Sequence, residues 1–137
     1  MEVRDYEQPT KKRCFIRYDR AGAAKCIQRD YLGPNPIFDD KQFQRMFRIT
    51  KGVYNVIKNE AVQFSPFFSD TIRFDAVGKA PIATDAKILI ALKYLAYGKS
   101  LNAFRDYFQM GERTALKCLH ELIHVISQSE LLKSIYL

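Results

Sequence analysis

The stretch DAKILIALKYLAY, residues 85–97, constrains the fold more than any other part of the chain. Only three charged residues interrupt it, so apolar side chains cover nearly the whole circumference of a helix formed there. Thr84 and Asp85 can open this helix and Gly98 can end it. The stretch is too short to cross a bilayer, and we therefore expect a central helix that other helices cover.

Helical patterns continue on the N-terminal side of this segment. Residues 14–32 are compatible with a helix, which the sequence GPNP at 33–36 ends. The residues before them are polar and rich in charge, with the basic triplet KKR among them. We therefore divide the chain into a basic, partly disordered segment over 1–30 and a helical domain over 31–137.

Two further helices are predicted before the middle of the chain. Asp39 or Asp40 can cap the first, whose apolar stripe consists of Phe43, Met46 and Phe47. Thr50 can cap the second, in which apolar residues again recur with the helical period: Val53, Tyr54, Ile57, Ala61 and Phe64. Arg45 and Arg48 lie off the first stripe and are expected to face solvent.

Residues 65–83 show no sustained period and contain two prolines and a glycine, which predicts a long loop. Loops of this length in a compact domain often have a role in contact or assembly. Phe67, Phe68 and Phe74 are expected to pin the loop to the core rather than to bind a ligand.

The C-terminal part of the chain is predicted to be helical up to its last residues. Ser100 can cap a short helix that carries Leu101, Phe104 and Phe108 on one face, and the sequence QMG then breaks the chain. A longer helix is predicted from Glu112 to about residue 127, followed by one or two more turns within 128–137. No segment shows strand alternation, so the predicted fold class is all-α.

The order of a long helix, a short helix, a tight turn and a long helix matches the trihelical helix-turn-helix, whose last helix enters the major groove. Apolar residues on both sides of the turn can pin the helices together: Phe104, Phe108, Met110, Ala115, Cys118, Leu119 and Leu122. The position that usually holds a small residue falls on Arg105, and the usual turn glycine falls on Gln109, with Gly111 two residues later. An ordinary helical hairpin satisfies the same pattern.

The last long helix divides into two faces at about 100° per residue. Its apolar line consists of Ala115, Leu119, Leu122 and Ile126, with Cys118 and Ile123 at the flanks. The opposite stripe consists of Arg113, Lys117, His120 and His124, with Glu121 at its edge. In a recognition helix Arg113 can pair with guanine, and Thr114 and Lys117 can reach phosphate or a base edge. A solvated polar face is the alternative reading of the same stripe.

Charge and cysteine content narrow the class of partner. The net charge of +7 favours a polyanion, and nucleic acid first. The predicted DNA-contacting residues are Arg113, Thr114, Lys117 and His120, with basic support from Arg45 and Arg48. Three widely spaced cysteines and the lack of an apolar leader predict a reducing compartment. The basic triplet resembles a nuclear-localisation patch, and a solvated charge cluster is the alternative reading of it.

The sequence HELIH, residues 120–124, also matches the zinc-peptidase signature H-E-x-x-H. A catalytic zinc site needs three protein ligands and an open position, with Glu121 as the general base. The third ligand of the metzincin pattern falls on Glu130, but Ser127 replaces the glycine that turns the chain away. We therefore predict no catalytic residues, no metal site and no cofactor, and keep the peptidase only as a remote alternative.

From about Tyr31 onward the sequence resembles the N-terminal region of PIF/Harbinger-type transposases. The similar pieces occur in order: DYLGPNPIFDDKQFQRMFRI, FFSDTIRFDAVGKAPI with its Asp-Ala-x-Gly loop, LKYLAYGKS, FRDYFQMGERTALKCL and SIYL. Arg113 stands where the family's Gly-Glu-Ser-Thr-Ala segment has serine, and Arg105 and Ala86 depart from its Asp-Glu-Tyr and Gln-Lys.

The resemblance implies a helix-turn-helix module that precedes an RNase H-like nuclease domain in the family. It also implies binding to transposon ends and to a Myb-like partner protein. No carboxylate of this chain matches the nuclease triad, so we expect a truncated, non-catalytic module. The alternative is a protein-interaction module, in which the polar stripe and the 65–83 loop dock the Myb-like partner or a full-length transposase.

Overall fold

The computed structural model describes residues 17–69, 81–98 and 101–136, and all regular structure in these ranges is helical. The predicted all-α class is therefore confirmed. The α-helices are α1 Arg20–Ile27, α2 Asp40–Phe47, α3 Lys51–Phe64, α4 Pro66–Ser69, α5 Thr84–Tyr97, α6 Arg105–Phe108, α7 Glu112–Gln128 and α8 Glu130–Tyr136. A π turn, Gln28–Leu32, extends α1, and a 3₁₀ turn, Leu101–Phe104, precedes α6.

Helix α5 lies at the centre, as its all-round apolar sequence predicts. It packs against α1, α2, α3, α4 and α7, and its residues from Ala86 to Leu92 are all buried. Toward its C-terminal end the helix emerges, so that Leu95 is 47% exposed and Tyr97 38%. In the described ranges no helix combines the length and the apolarity that a membrane span requires.

Two predicted caps are confirmed and a third is wrong. Asp39 forms a capping box with Gln42, and the Thr50 side chain accepts a hydrogen bond from the amide of Val53. Thr84 does not cap α5, because its hydroxyl instead donates to the carbonyl oxygen of Phe68 at 2.6 Å. That bond ties the start of α5 to α4, while the preceding backbone lacks a side-chain cap.

The loop predicted over 65–83 contains helix α4. Phe68 is fully buried and Phe67 is partly buried, as expected, whereas Phe74 lies outside the described residues. Phe64 was expected in the core but is 54% exposed. The chain turns at Ser65, and Phe68 of the adjoining α4 fills the core beside α3 in its place.

The helix predicted over residues 14–32 begins at Arg20, where the Asp19 side chain accepts a hydrogen bond from the amide of Gly22. It widens into the π turn and ends at the predicted break. Ala23 and Ile27 are buried, so α1 belongs to the same core as the helices after it. The basic triplet KKR lies outside the described residues.

Candidate nucleic-acid interface

The turn between α6 and α7 has a left-handed residue at Gln109, the position where the helix-turn-helix pattern usually has glycine. Gln109 has φ 51° and ψ 55°, whereas Gly111 has an ordinary extended backbone. The Gln109 side chain offsets the cost of this conformation with two hydrogen bonds. Its Oε1 accepts from the amide of Asp19 at 2.9 Å, and its Nε2 donates to the carbonyl oxygen of Asp106 at 2.7 Å.

Apolar residues on both sides of this turn are buried, as predicted, and they hold α7 against α5. They are Phe108, Met110, Ala115, Cys118, Leu119 and Leu122, with Phe104 partly buried. The Cys118 Sγ lies 4.0 Å from the Sδ of Met110, and burial raises the pKa of Cys118 to about 12. The side chain of Leu101 and the predicted Ser100 cap lie outside the described part of the structure.

One flank of the predicted apolar face is wrong. Ile123 is 46% exposed, whereas Val125, on the opposite flank, is buried. The buried arc of α7 is rotated toward Val125, because α3 packs on that side and the Ser65 hydroxyl donates to Glu121 at 3.4 Å. Leu116, 43% exposed, lies one heptad before Ile123, and the two form an apolar edge beside the polar stripe.

The polar stripe of α7 faces solvent along its whole length. Arg113, Lys117, His120 and His124 are exposed, and Thr114 is half-buried. The stripe therefore presents two cationic side chains near the N-terminal end of the helix and two imidazoles beyond them. This face and this end are the ones with which a recognition helix reads base edges.

Lys117 of the stripe contacts a second helix, α4. Its Nζ lies 5.3 Å from the ring centroid of Phe67, and the Nζ of Lys87 lies 4.5 Å from the same centroid. Lys87 is buried and also donates to the carbonyl oxygen of Phe67 at 2.5 Å. The aromatic ring of α4 thus orients one cation of the stripe and stabilises the buried lysine of α5.

The HELIH sequence does not gather a third ligand from the described residues. Over residues 17–69, 81–98 and 101–136, no group of three or more His, Cys, Asp or Glu side chains is placed to hold a metal ion. Glu121, the required general base, accepts a hydrogen bond from Ser65. His120 and His124 therefore belong to the polar stripe in the structure described.

Arg45 and Arg48 are not next to the α7 stripe but at the C-terminal end of α2, where α2 packs on α5. There they meet Lys93 and Tyr97, and we call these four residues the Tyr97 cluster. The Arg48 Cζ lies 5.3 Å and the Lys93 Nζ 5.1 Å from the Tyr97 ring centroid. The Tyr97 hydroxyl donates to the carbonyl oxygen of Arg45 at 3.4 Å.

The sequence reasoning missed Lys93 and Tyr97 as candidate functional residues. Their i, i+4 spacing places them on one face of α5, which was a usable signal. No pattern in the sequence shows that α2 brings two arginines to that face. The Lys93 ammonium also lies 4.9 Å from the Phe47 ring centroid, and partial burial lowers the pKa of Lys93.

A buried carboxylate anchors α6 to the N-terminal helix. Asp30 is 5% exposed, and the hydroxyl of Tyr107 donates to its Oδ2 at 2.7 Å. The Arg29 guanidinium donates to both carboxylate oxygens, at 2.7 and 3.1 Å. The hydrogen bonds from Arg29 and Tyr107 hold the pKa of Asp30 below its usual range, against the opposing effect of burial.

No protein-family model matches the chain, and neither curated proteins nor solved structures give a significant match. The chain's own residues and their geometry therefore carry the functional proposal.

Proposed function

We propose that the chain is a non-catalytic DNA-binding and assembly module. The observation that carries the proposal is the exposed stripe of α7, which two cationic residues begin at the N-terminal end of the helix. The left-handed Gln109 in the turn before α7 and the buried apolar contacts between α5 and α7 support a helix-turn-helix role for this stripe. The net charge of +7 favours a polyanionic partner.

Each residue of the stripe has a proposed role. Arg113, in the first turn of α7, pairs with a guanine edge through its planar guanidinium. Lys117 and Thr114 contact phosphate or a base edge, and His120 extends the contact along the groove. Lys117 reaches DNA by leaving the Phe67 ring, because a cation–π contact at an exposed site contributes only about 0.5–1 kcal/mol.

The biological setting of the proposal comes from the sequence resemblance alone. In that reading the module derives from a Harbinger-type transposase, acts in the nucleus on transposon ends, and assembles with a Myb-like protein. The nuclease chemistry of full-length relatives is not assigned to this chain, since none of its carboxylates matches their catalytic triad.

Fluorescence anisotropy with a random-sequence duplex tests the proposal. Binding through three or four phosphates should give a log–log salt slope of about −3. Arg113→Gln with Lys117→Gln should make the slope less negative by about 1–2. Lys133→Gln on α8 removes one positive charge outside the α7 stripe and serves as the control for the general effect of charge removal. If the Arg113 and Lys117 variants bind like the control, α7 does not contact DNA.

Protein interaction is the second candidate function, and the exposed apolar edge of α7 favours it. Leu116 and Ile123 are 43% and 46% exposed and lie beside the polar stripe. Burial of these apolar side chains against a protein partner, such as the Myb-like protein, is more favourable than their exposure to water. Leu116→Gln with Ile123→Gln should abolish that complex and preserve DNA binding, whereas loss of both would point to misfolding.

A further inference from the structure

Two cations of the Tyr97 cluster, Arg48 and Lys93, are positioned by the aromatic ring, which does not neutralise their charge. In the described part of the chain neither Arg48 nor Lys93 forms an ion pair with a carboxylate. Both contact the ring of Tyr97, and a ring face does not accept the several N–H donors that each cation carries. The donors therefore remain available to an anionic oxygen.

The backbone of Arg48 supplies an independent observation. Arg48 ends α2 with φ 64° and ψ 16°, a left-handed conformation that favours glycine. Gln109, the other non-glycine residue with positive φ in the described ranges, forms two side-chain hydrogen bonds in return. Among the described residues the Arg48 side chain makes no hydrogen bond, and its guanidinium lies over the ring of Tyr97. The Arg48 amide closes the helix with a 2.7 Å bond to the carbonyl oxygen of Gln44. A non-glycine residue in this conformation with an uncommitted guanidinium favours a binding role for that group.

We propose that Arg48 and Lys93, positioned by Tyr97, form a second phosphate-binding site for the backbone of nucleic acid. Because both cations lie just over 5 Å from one ring centroid, they are at most about 10 Å apart. That separation is compatible with one contact from each cation to two neighbouring phosphates of one strand. The choice of nucleic acid as the polyanion rests on the proposed function.

This site is separate from the stripe of α7. Lys117 shares the Phe67 ring with Lys87, which lies near the start of α5, whereas Tyr97 is the last residue of that helix. The ten residues from Lys87 to Tyr97 span about 15 Å along α5 at 1.5 Å per residue. The contacts of the cluster are with backbone phosphate, so they raise affinity without selecting sequence.

Salt-dependent anisotropy with a random-sequence duplex of about 20 base pairs tests the site. Arg48→Gln with Lys93→Gln should reduce the magnitude of the log–log slope by about 1.8, since each lost phosphate contact removes about 0.9. Tyr97→Leu keeps the net charge but should also weaken the slope, and Tyr97→Phe should restore it. Lys133→Gln, which removes one positive charge on α8, is the control for each of the single variants Arg48→Gln and Lys93→Gln. A double variant that keeps the slope of the control overturns the proposal.

Arg48→Gly separates function from stability. Relief of the left-handed strain should raise Tm by roughly 4 °C, while the salt slope loses about 0.9. A purely structural role for Arg48 instead predicts unchanged binding, which would overturn the proposal.

The same experiment distinguishes failure of this site from failure of the proposed function. If the Arg113 and Lys117 variants bind normally while the Arg48 and Lys93 variants lose slope, the α7 proposal fails and this site stands. The reverse result removes this site and leaves α7 as the DNA contact. Absence of any binding at about 50 mM salt overturns both.

Discussion

Replacement of Tyr107 by phenylalanine removes a single hydroxyl and keeps the ring that packs on Tyr31 and Phe108. The lost bond is the one to the buried carboxylate of Asp30, at 2.7 Å. A hydrogen bond to a charged group contributes about 1.5–3 kcal/mol. Arg29 still donates to both carboxylate oxygens, and its side chain is 60% exposed. Solvent near this pair therefore reduces the destabilisation that the lost hydroxyl causes. We expect a destabilisation of about 2 kcal/mol, or a Tm decrease of roughly 8 °C.

The effect should depend on pH with a defined sign. The pKa of Asp30 is lowered in the folded protein. The ionised carboxylate therefore contributes its full stabilisation at any pH above the ordinary pKa of an aspartate carboxyl. That contribution disappears as the pH falls through the lowered value. The difference between wild type and Tyr107→Phe should therefore be constant above the ordinary carboxyl pKa and shrink as the pH falls through the folded-state pKa of Asp30.

Urea unfolding followed by circular dichroism measures both quantities. Tyr94→Phe is the matched control, because in the described structure the Tyr94 hydroxyl makes no hydrogen bond. A double-mutant cycle with Asp30→Asn isolates the pairwise term. A change below about 0.5 kcal/mol, or one that increases as the pH falls, would refute the assignment of this bond as the anchor of α6.

Three further outcomes are expected. Thr50→Ala should lower the free energy of unfolding by about 1 kcal/mol in urea titrations, because it removes the cap of α3. Gln109→Gly should change the free energy of unfolding by less than about 1 kcal/mol, because relief of left-handed strain offsets the loss of two side-chain hydrogen bonds. Arg48→Gly loses no such bonds and should therefore stabilise the fold. Cys118, with its pKa raised to about 12 by burial, should resist iodoacetamide in the native protein and react after unfolding, as mass spectrometry of peptides can show.

The sequence pattern predicted those features whose causes lie within one or two helical turns. Four predicted features that depend on neighbouring residues are confirmed: the caps at Asp39 and Thr50, the end of α5 at Gly98 and the length of α7. The left-handed conformation of Gln109 was not predicted, since glutamine was noted only as a departure at the usual turn-glycine position. Whether the exposed stripe of α7 meets DNA stays a prediction.

Contacts between helices that are far apart in the sequence determined the features that the sequence pattern did not predict. Thr84 does not cap α5 because its hydroxyl donates to the carbonyl oxygen of Phe68 in α4, 16 residues away in the chain. The rotation of α7 that buried Val125 and exposed Ile123 followed from α3 packing on one side. Arg48 meets Tyr97 only because α2 packs on α5.

The sequence by itself thus determined the helical segments other than α4, the central position of α5 and the polar face of α7, because helical period and capping act locally. Only the tertiary structure decided which cations gather around Tyr97 and which carboxylate anchors α6. Those arrangements depend on how helices cross, and residues far apart in the chain carry no local signal of that geometry.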